Sequence, residues 1–383
     1  MILRGCHPAG HATLQNRDGR DSGWPVNRTF RQGAALTYRT TRATLLQGAL
    51  ALLLGLGGGT LFHALNLPLP WMLGALAVTL SAAVIGLPIR TPDALRPPVM
   101  AVIGVLLGSG FSPELLGRVP GWLPSRAMLA LYAALSAAIV VPFYRRVGGF
   151  DPVTAYFAGM PGGLAEMMMI GRAMGGDDRR IVLAHAARIV ITVAAIAFWF
   201  RLVLGYQVSG NPGGPSLLSM AARDVAILAA CGVVGAFAGL RLRLPAPTLL
   251  GPMVLSGIAH ATGLTASAPP PGLVIAAQVA LGTVMGCRFL GVAARDVGRA
   301  LMLSAVATAM TLALALGFAF ALHAMLGLDR SLVLLAFAPG GLSEMSLVAL
   351  AMKAEVAFVA LHHVVRIVLV IAFAPMALRL WRR

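Results

Sequence analysis

Ala158-Gly-Met-Pro-Gly-Gly-Leu-Ala-Glu-Met167 and Ala338-Pro-Gly-Gly-Leu-Ser-Glu-Met345 are two versions of one motif, and they decide the fold. Further polar residues coincide at the same offset of 178 residues, namely Asp151 with Asp329, Asp177 with Glu355, His185 with His363, and Arg188 with Arg366. Shared apolar composition would align Leu with Ala at any offset, but it would not align rare charged residues at one. The sequence therefore predicts an internal duplication.

The composition around these motifs is that of a membrane protein. Apolar residues make up 58% of the chain and charged residues only 11%, whereas soluble domains are roughly half apolar and a quarter charged. We count about a dozen apolar stretches of the length that crosses a bilayer as helix. The fold class predicted is an all-α polytopic membrane protein.

The chain divides into four parts on this basis. Residues 1–44 are basic and lack an apolar run, so they are predicted to be a disordered extension. Residues 45–203 form the first membrane repeat, residues 204–221 an uncharged external linker, and residues 222–383 the second membrane repeat.

Basic residues between the apolar segments predict the topology. The formal net charge of +17 is spread over these loops, which the positive-inside rule explains better than a nucleic-acid surface. We predict five crossings per half, near 45–63, 69–87, 97–112, 122–143 and 181–204 in the first, with the Pro-Gly-Gly segment at 153–171 as a re-entrant or broken helix. An odd number of crossings makes the two repeats inverted in the cell (inner) membrane, as in many secondary transporters.

The Pro-Gly-Gly triplets predict broken helices inside the membrane. They comprise Pro161, Gly162 and Gly163 in the first repeat and Pro339, Gly340 and Gly341 in the second. Proline removes a backbone donor and glycine permits a sharp reversal. Irregular backbone is tolerated in a membrane only where it is buried in protein or lines a cavity, so freed amides could serve a ligand. A packing kink is the simpler alternative.

Two glutamates follow the triplets by three residues. Carboxylates such as Glu166 and Glu344 are costly inside a membrane and are usually functional there. Ionised, each could bind a cation or accept amide hydrogen bonds, and protonated, each could carry a coupling proton. The alternative is that each glutamate forms a structural ion pair with an arginine and has no role in transport.

A histidine and an arginine three residues apart share a helix face in each repeat. The pairs are His185 with Arg188 and His363 with Arg366. Arginine can bind a carboxylate or phosphate through forked donors, and histidine can relay protons near neutral pH. Satisfied polar residues of the core are the alternative. Asp151 and Asp329 are predicted to cap the helices that follow them.

Catalytic and metal signatures are absent from the sequence. There is no HExxH, GxSxG, Walker or CxxC pattern, and the adjacent His362 and His363 would point about 100° apart on a helix. The methionines beside the glutamates and the cysteines Cys231 and Cys287 are predicted to serve packing. We therefore predict no enzyme activity and no cofactor.

The duplicated motif, with a His-x-x-Arg-Ile-Val helix after each copy, resembles the AbrB-type integral membrane proteins over nearly everything after residue 44. Members of that family have been labelled ammonia monooxygenases and regulators of gene expression. The resemblance implies a transporter-like membrane protein and leaves the substrate open.

These observations predict a secondary transporter for a small solute, an organic anion, coupled to protons or a cation. The partners expected are the lipid bilayer, the solute and a coupling ion, without nucleic acid, and the sequence is compatible with a homo-oligomer. A membrane sensor that affects gene expression is the second hypothesis. A metal-dependent membrane monooxygenase is the third.

Overall fold

A computed structural model of the chain describes residues 42–205 and 216–381. The predictions for residues 1–41, for most of the linker at 206–215 and for Arg382 and Arg383 lie outside these residues. Within them the secondary structure is entirely helical, without a β-strand. The all-α fold class is confirmed.

The first half of the described chain forms eight α-helices. They are α1 Arg42–Ala64, α2 Pro70–Val84, α3 Arg96–Gly108, α4 Pro113–Arg118, α5 Leu123–Arg146, α6 Pro152–Gly159, α7 Leu164–Ala173 and α8 Asp178–Leu202. The second half forms α9 Ala222–Arg241, α10 Pro247–Ala261, α11 Pro271–Gly286, α12 Ala294–Leu326, α13 Arg330–Phe337, α14 Leu342–Ala351 and α15 Val356–Trp381. A short 3-10 turn, Cys287–Phe289, follows α11.

Proline and aspartate fix where several helices begin. Pro70 and Pro247 occupy the first turns of α2 and α10, where the missing amide proton is not needed. Asp151 caps α6 by accepting from the Val153 and Thr154 amides, and Asp329 caps α13 by accepting from the Leu332 amide at 2.9 Å. The predicted capping role of both aspartates is confirmed.

Among the described residues, seven helices are long and apolar enough to cross a membrane. They are Arg42–Ala64, Pro120–Arg146, Asp178–Leu202, Ala222–Arg241, Pro271–Phe289, Ala294–Leu326 and Val356–Leu378. Large apolar side chains such as Leu46, Leu53 and Phe237 are exposed on the outer faces of α1 and α9, which suits a lipid environment. The second and third predicted spans, 69–87 and 97–112, are shorter as helices: α2 has 15 residues and α3 has 13.

The helices pack as two bundles. The first bundle consists of α1, α2, α3, α9, α10 and α11, and the second consists of α5 to α8 and α12 to α15. Within the first bundle α2 lies between α1 and α11, while α10 lies between α9 and α3. The main contacts between the bundles are made by α14 and α15 on α3 and by α8 on the 3-10 turn Cys287–Phe289.

Glycines allow the closest helix crossings of the first bundle. A Cβ atom at Gly74 would collide with the carbonyl of Gly58, and one at Gly251 would collide with the carbonyl of Gly235. Glycine is required at these crossings because the two backbones touch, as small residues permit in membrane helices. The four residues occupy equivalent positions in the two halves of the sequence, so the same crossing occurs twice.

Candidate functional site

Both Pro-Gly-Gly motifs interrupt helices within the second bundle. Helix α6 ends at Gly159 and α7 begins at Leu164, with Met160 and Gly163 in extended conformations between them. Helix α13 ends at Phe337 and α14 begins at Leu342, with Gly341 extended and Ala338 also outside the helical conformation. We call residues 160–163 the first break and residues 338–341 the second break.

The first broken unit is a hairpin. The Asp177 amide, beyond the end of α7, donates to the Thr154 hydroxyl near the start of α6 at 2.7 Å. A Cβ atom on Gly176 would lie 3.3 Å from the Val153 side chain. The two ends of the unit are therefore adjacent, with the break at its tip. In the second unit the two short helices, α13 and α14, also contact each other, as α6 and α7 do in the first.

Arg188 and Arg366 hold the carbonyl groups that the breaks release. The Arg188 Nη1 atom donates to the Met160 carbonyl at 3.0 Å. At the equivalent position Arg366 Nη1 donates to the Ala338 carbonyl at 2.6 Å, and its Nη2 atom donates to the Gly340 carbonyl at 2.9 Å. The last carbonyls of a helix have no partner within it, so each guanidinium completes the end of a short helix.

The two histidines orient these arginines. His185 Nε2 lies 2.8 Å from the Phe157 carbonyl, and its Nδ1 lies 2.7 Å from Arg188 Nη2. His363 makes the corresponding contacts with the Leu335 carbonyl at 3.1 Å and with Arg366 at 2.9 Å. A guanidinium can only donate, so each Nδ1 accepts and each Nε2 carries the proton. Both imidazoles are therefore neutral and fully used, as expected of satisfied core residues.

The buried arginines lack a carboxylate partner. Arg188 and Arg366 are 5% and 3% exposed, and no carboxylate of the described residues forms a salt bridge with either. Their Nε atoms have no hydrogen-bond partner among the described residues. The two guanidiniums also interact electrostatically with each other. The breaks thus carry two uncompensated positive charges, an arrangement that buried charges normally avoid.

The two glutamates lie against the glycines that begin their helices. A Cβ atom on Gly163 would collide with Glu166 Oε2, and one on Gly341 would collide with Glu344 Oε2. The Ser343 hydroxyl donates to Glu344 Oε2 at 2.9 Å. Each carboxylate therefore folds back over the positive end of its helix, where negative charge is favoured. Neither Glu166 nor Glu344 forms the salt bridge with an arginine that was the structural alternative, within the described part of the chain.

Equivalent parts of the two breaks differ in exposure. Gly162, Gly163 and Glu166 are partly exposed, whereas Gly340 is buried and Glu344 is 6% exposed. The difference follows from packing, because α14 lies on α3 and α7 makes no comparably extensive contact with α11 in the described chain. The first break is open and the second is covered.

Two methionines pack at the breaks, and His362 is bonded elsewhere. Met167 and Met345 are fully buried against Gly162 and Gly340, which confirms the predicted packing role. His362 contacts the Ser125 hydroxyl through Nε2 at 2.8 Å, away from the partners of His363. Within residues 42–205 and 216–381 no three His, Cys, Asp or Glu side chains are grouped as metal ligands.

Two residues near the site were not singled out by the sequence. Tyr132 is fully buried on α5, donates to the Thr311 carbonyl at 3.3 Å and interacts electrostatically with both Arg188 and Arg366. Arg288 interacts electrostatically with Glu344. Neither residue has a counterpart of its own type at the repeat offset, so the repeat could not reveal them.

Comparisons with known proteins find one family model and two similar proteins. The model of the AbrB family, described as "Transition state regulatory protein AbrB", matches residues 71–382. The "Uncharacterized protein YhjN" of Bacillus subtilis (strain 168) is 25% identical over 347 residues, covering 84% of this chain and 90% of that protein. The "Putative regulator AbrB" of Escherichia coli (strain K12) is 23% identical over 326 residues, covering 85% and 92%.

Proposed function

Since the chain belongs to the AbrB family, whose model matches most of its length, we propose that it is a secondary transporter of a small organic anion, driven by protons or a cation. The transport site consists of the two breaks and the residues that hold them. The protein lies in the inner membrane with its two halves inverted, so that the hairpins enter from opposite sides.

The uncompensated charges of Arg188 and Arg366 carry this proposal. Two guanidiniums within electrostatic range of each other, both buried, are stabilised when an anion reaches them. Their Nη atoms already hold the hairpin carbonyls, whereas the Nε atoms are unused. The arginines therefore balance the charge of the anion while their Nη atoms continue to hold the backbone carbonyls of the breaks.

Glu166 and Glu344 provide the coupling. Each carboxylate lies against the glycine that begins its helix, and binding a proton or a cation there neutralises a charge that is costly in the membrane. His185 and His363 support the arginines in this mechanism and do not relay protons, because both nitrogens of each ring are engaged.

The arrangement of the halves supports inverted repeats. The Thr154–Asp177 hydrogen bond returns the first hairpin to the side from which it entered, so that the first half crosses with α1, α2, α3, α5 and α8. Helix α2 of the first half packs on α11 of the second half, and its equivalent α10 packs on α3, the equivalent of α11. Such reciprocal contacts are expected of a two-fold axis between the halves. Basic residues then lie mainly on the cytoplasmic side.

Flux in proteoliposomes tests the proposal. The purified full chain is reconstituted, and uptake of radiolabelled mono-, di- and tricarboxylates is measured under imposed proton and sodium gradients. We expect uptake of at least one acid, abolished in Glu166→Gln and Glu344→Gln and retained in the exposed control Glu114→Gln. Failure of every acid and both gradients to produce flux in the wild type contradicts the proposal.

A membrane sensor that regulates gene expression is the second candidate, favoured by the printed name of the Escherichia coli relative, "Putative regulator AbrB". A sensor binds its ligand at the breaks without moving it. Transcript profiles of a deletion strain complemented with Glu344→Gln distinguish the two: a response that survives loss of coupling, in a protein without flux, favours the sensor.

A further inference from the structure

An open groove lies on the surface of the first bundle, between α9 and α10. Its volume is about 330 Å³. Apart from Thr262 its walls are apolar, and they include Ile227, Ala230 and Val234 of α9 and Leu255 and Ile258 of α10. Val234 and Ile258 are 53% and 55% exposed, so the groove opens onto the surroundings of the bundle. In a membrane these surroundings are lipid.

Arg223 stands at one end of this groove. Leu264 lines that end, and Arg223 Nη2 donates to the Leu264 carbonyl at 3.3 Å. The Arg223 side chain is exposed, and it forms no salt bridge within the described part of the chain. A guanidinium has five N–H donors, so the bond to Leu264 leaves donors for an anion at the end of the groove.

Asp224 fixes the loop that carries Leu264. The Thr265 hydroxyl donates to Asp224 Oδ1 and the Ser267 hydroxyl donates to Asp224 Oδ2, each at 2.9 Å. His260 Nε2 lies 3.1 Å from the Ser267 carbonyl and adds a further contact with the loop. Both carboxylate oxygens are thus bonded to the loop and not to the neighbouring guanidinium. The end of the groove is held in place before any ligand arrives.

The groove has the depth of one lipid leaflet. Arg223 and Val234 lie eleven residues apart on α9, about 16 Å along a helix, which is roughly half of a hydrocarbon core of about 30 Å. Leu217 and Leu218, in the 3-10 turn before α9, are 60% and 99% exposed, as suits apolar side chains at the membrane interface. Arg223 therefore lies near the headgroups, and the groove extends toward the membrane centre.

The first half lacks both features at the equivalent positions. At the offset that pairs the crossing glycines, Arg223 corresponds to Leu46. The small Ala230 corresponds to Leu53 at the same offset. The repeated helix crossing therefore forms without the cation and without the small side chain. Their presence together in α9 indicates a role besides packing.

We propose that this groove binds one anionic phospholipid, with an acyl chain between α9 and α10 and the phosphate at Arg223. A guanidinium binds a phosphate through two parallel N–H donors, and the apolar walls suit a hydrocarbon chain. A second copy of this chain fits less well, because the acid that its α9 would bring, Asp224, already has both oxygens bonded. The inference does not depend on the transport function.

Lipid binding to the purified, delipidated full chain tests the phosphate contact. Native mass spectrometry measures binding of phosphatidylglycerol, of zwitterionic phosphatidylcholine and of glycerol 3-phosphate, which has the phosphate without an acyl chain. We expect the wild type to hold one phosphatidylglycerol in preference to both other probes. Arg223→Gln should raise its Kd about tenfold or more, because charge-assisted hydrogen bonds are lost. Arg241→Gln, at the opposite end of α9, is the control and should bind normally.

Filling the groove tests the acyl-chain contact separately. Ala230→Leu should weaken phosphatidylglycerol binding, whereas Ala229→Leu, on the same helix but outside the groove lining, should not. The proposal is overturned if phosphatidylglycerol binds equally well to Arg223→Gln or to Ala230→Leu, or if phosphatidylcholine or glycerol 3-phosphate binds as tightly. A wild-type dimer that binds no phosphatidylglycerol and dissociates in Ala230→Leu would also overturn it, in favour of a second copy.

Discussion

His363 and Arg366 are joined by a hydrogen bond of 2.9 Å between the imidazole Nδ1 and the guanidinium Nη2, and both side chains then hold carbonyls of the broken hairpin α13–α14. The same relationship joins His185 and Arg188 at 2.7 Å. The same histidine–arginine contact thus stabilises both breaks. Mutating either residue of the contact tests how much it contributes.

Replacing Arg366 with lysine should destabilise the protein. Lysine keeps the positive charge but cannot reproduce the forked contacts with the Ala338 and Gly340 carbonyls. Each lost charge-assisted hydrogen bond costs about 1.5–3 kcal/mol, so the thermal midpoint in detergent should fall by several degrees. Arg295→Lys, at an exposed position, is the control. An unchanged midpoint for Arg366→Lys would show that the capping contacts contribute nothing.

Replacing Gly341 with alanine should displace the carboxylate of Glu344. The new Cβ atom would collide with Glu344 Oε2, so the side chain must turn away from the helix end. We expect loss of coupled uptake in Gly341→Ala and in the equivalent Gly163→Ala. Gly298→Ala is the control, because no atom lies within 4 Å of its Cβ position in α12. Normal uptake by Gly341→Ala would show that coupling does not depend on the position of the Glu344 carboxylate.

The glycine crossings of the first bundle should be intolerant of side chains. Gly74→Ala and Gly251→Ala would each push a Cβ atom into a neighbouring helix backbone, which typically costs about 1–3 kcal/mol. Unfolding in mixed micelles should show this loss. Gly48→Ala and Gly57→Ala on α1 meet no atom within 4 Å and should be neutral or slightly stabilising. Equal stability of both sets would contradict the close crossings.

Stability should fall as pH rises through the titration of Glu355. This residue lies just before the Val356–Leu378 span, and burial raises the pKa of its carboxyl, opposed by Arg118 at 3.7 Å. A raised folded-state pKa means that the folded protein holds the proton more tightly than the unfolded chain. Stability is therefore greatest below the ordinary value of about 4.3 and decreases above it.

The variant Glu355→Gln should flatten this part of the profile of midpoint against pH. Glu114 provides a contrast, because a hydrogen bond from Ser112 lowers the pKa of its carboxyl and stability then falls as pH decreases. If the midpoint of Glu355→Gln varies with pH as in the wild type between about pH 4 and 6, the Glu355 carboxyl is not the cause of the pH dependence.

The side from which the first hairpin enters can be measured directly. The Thr154–Asp177 contact requires both hairpin ends to face the same compartment. Cysteines introduced at Arg145 and at Arg172 should both react from the cytoplasmic side, and one introduced at Gly263 is the reference for the other side. Labelling of the Arg172 position from outside would reverse the proposed topology.

The sequence by itself determined the class of the protein and the location of its unusual backbone. Apolar composition specified membrane helices because such surface cannot face water, and the paired Pro-Gly-Gly motifs specified where those helices break. The aspartate caps were also readable, because capping depends only on residues within one turn of the chain.

Only the tertiary structure decided what the charged residues contact. Carbonyl acceptors for Arg188 and Arg366 lie 26 to 30 residues away in the chain, and their use depends on how α8 and α15 pack beside the hairpins. The same holds for the difference in exposure between Glu166 and Glu344, which matched motifs cannot encode. Sequence repeats report common local conformation, whereas burial and charge pairing depend on packing between distant segments, and that packing differs between the two halves.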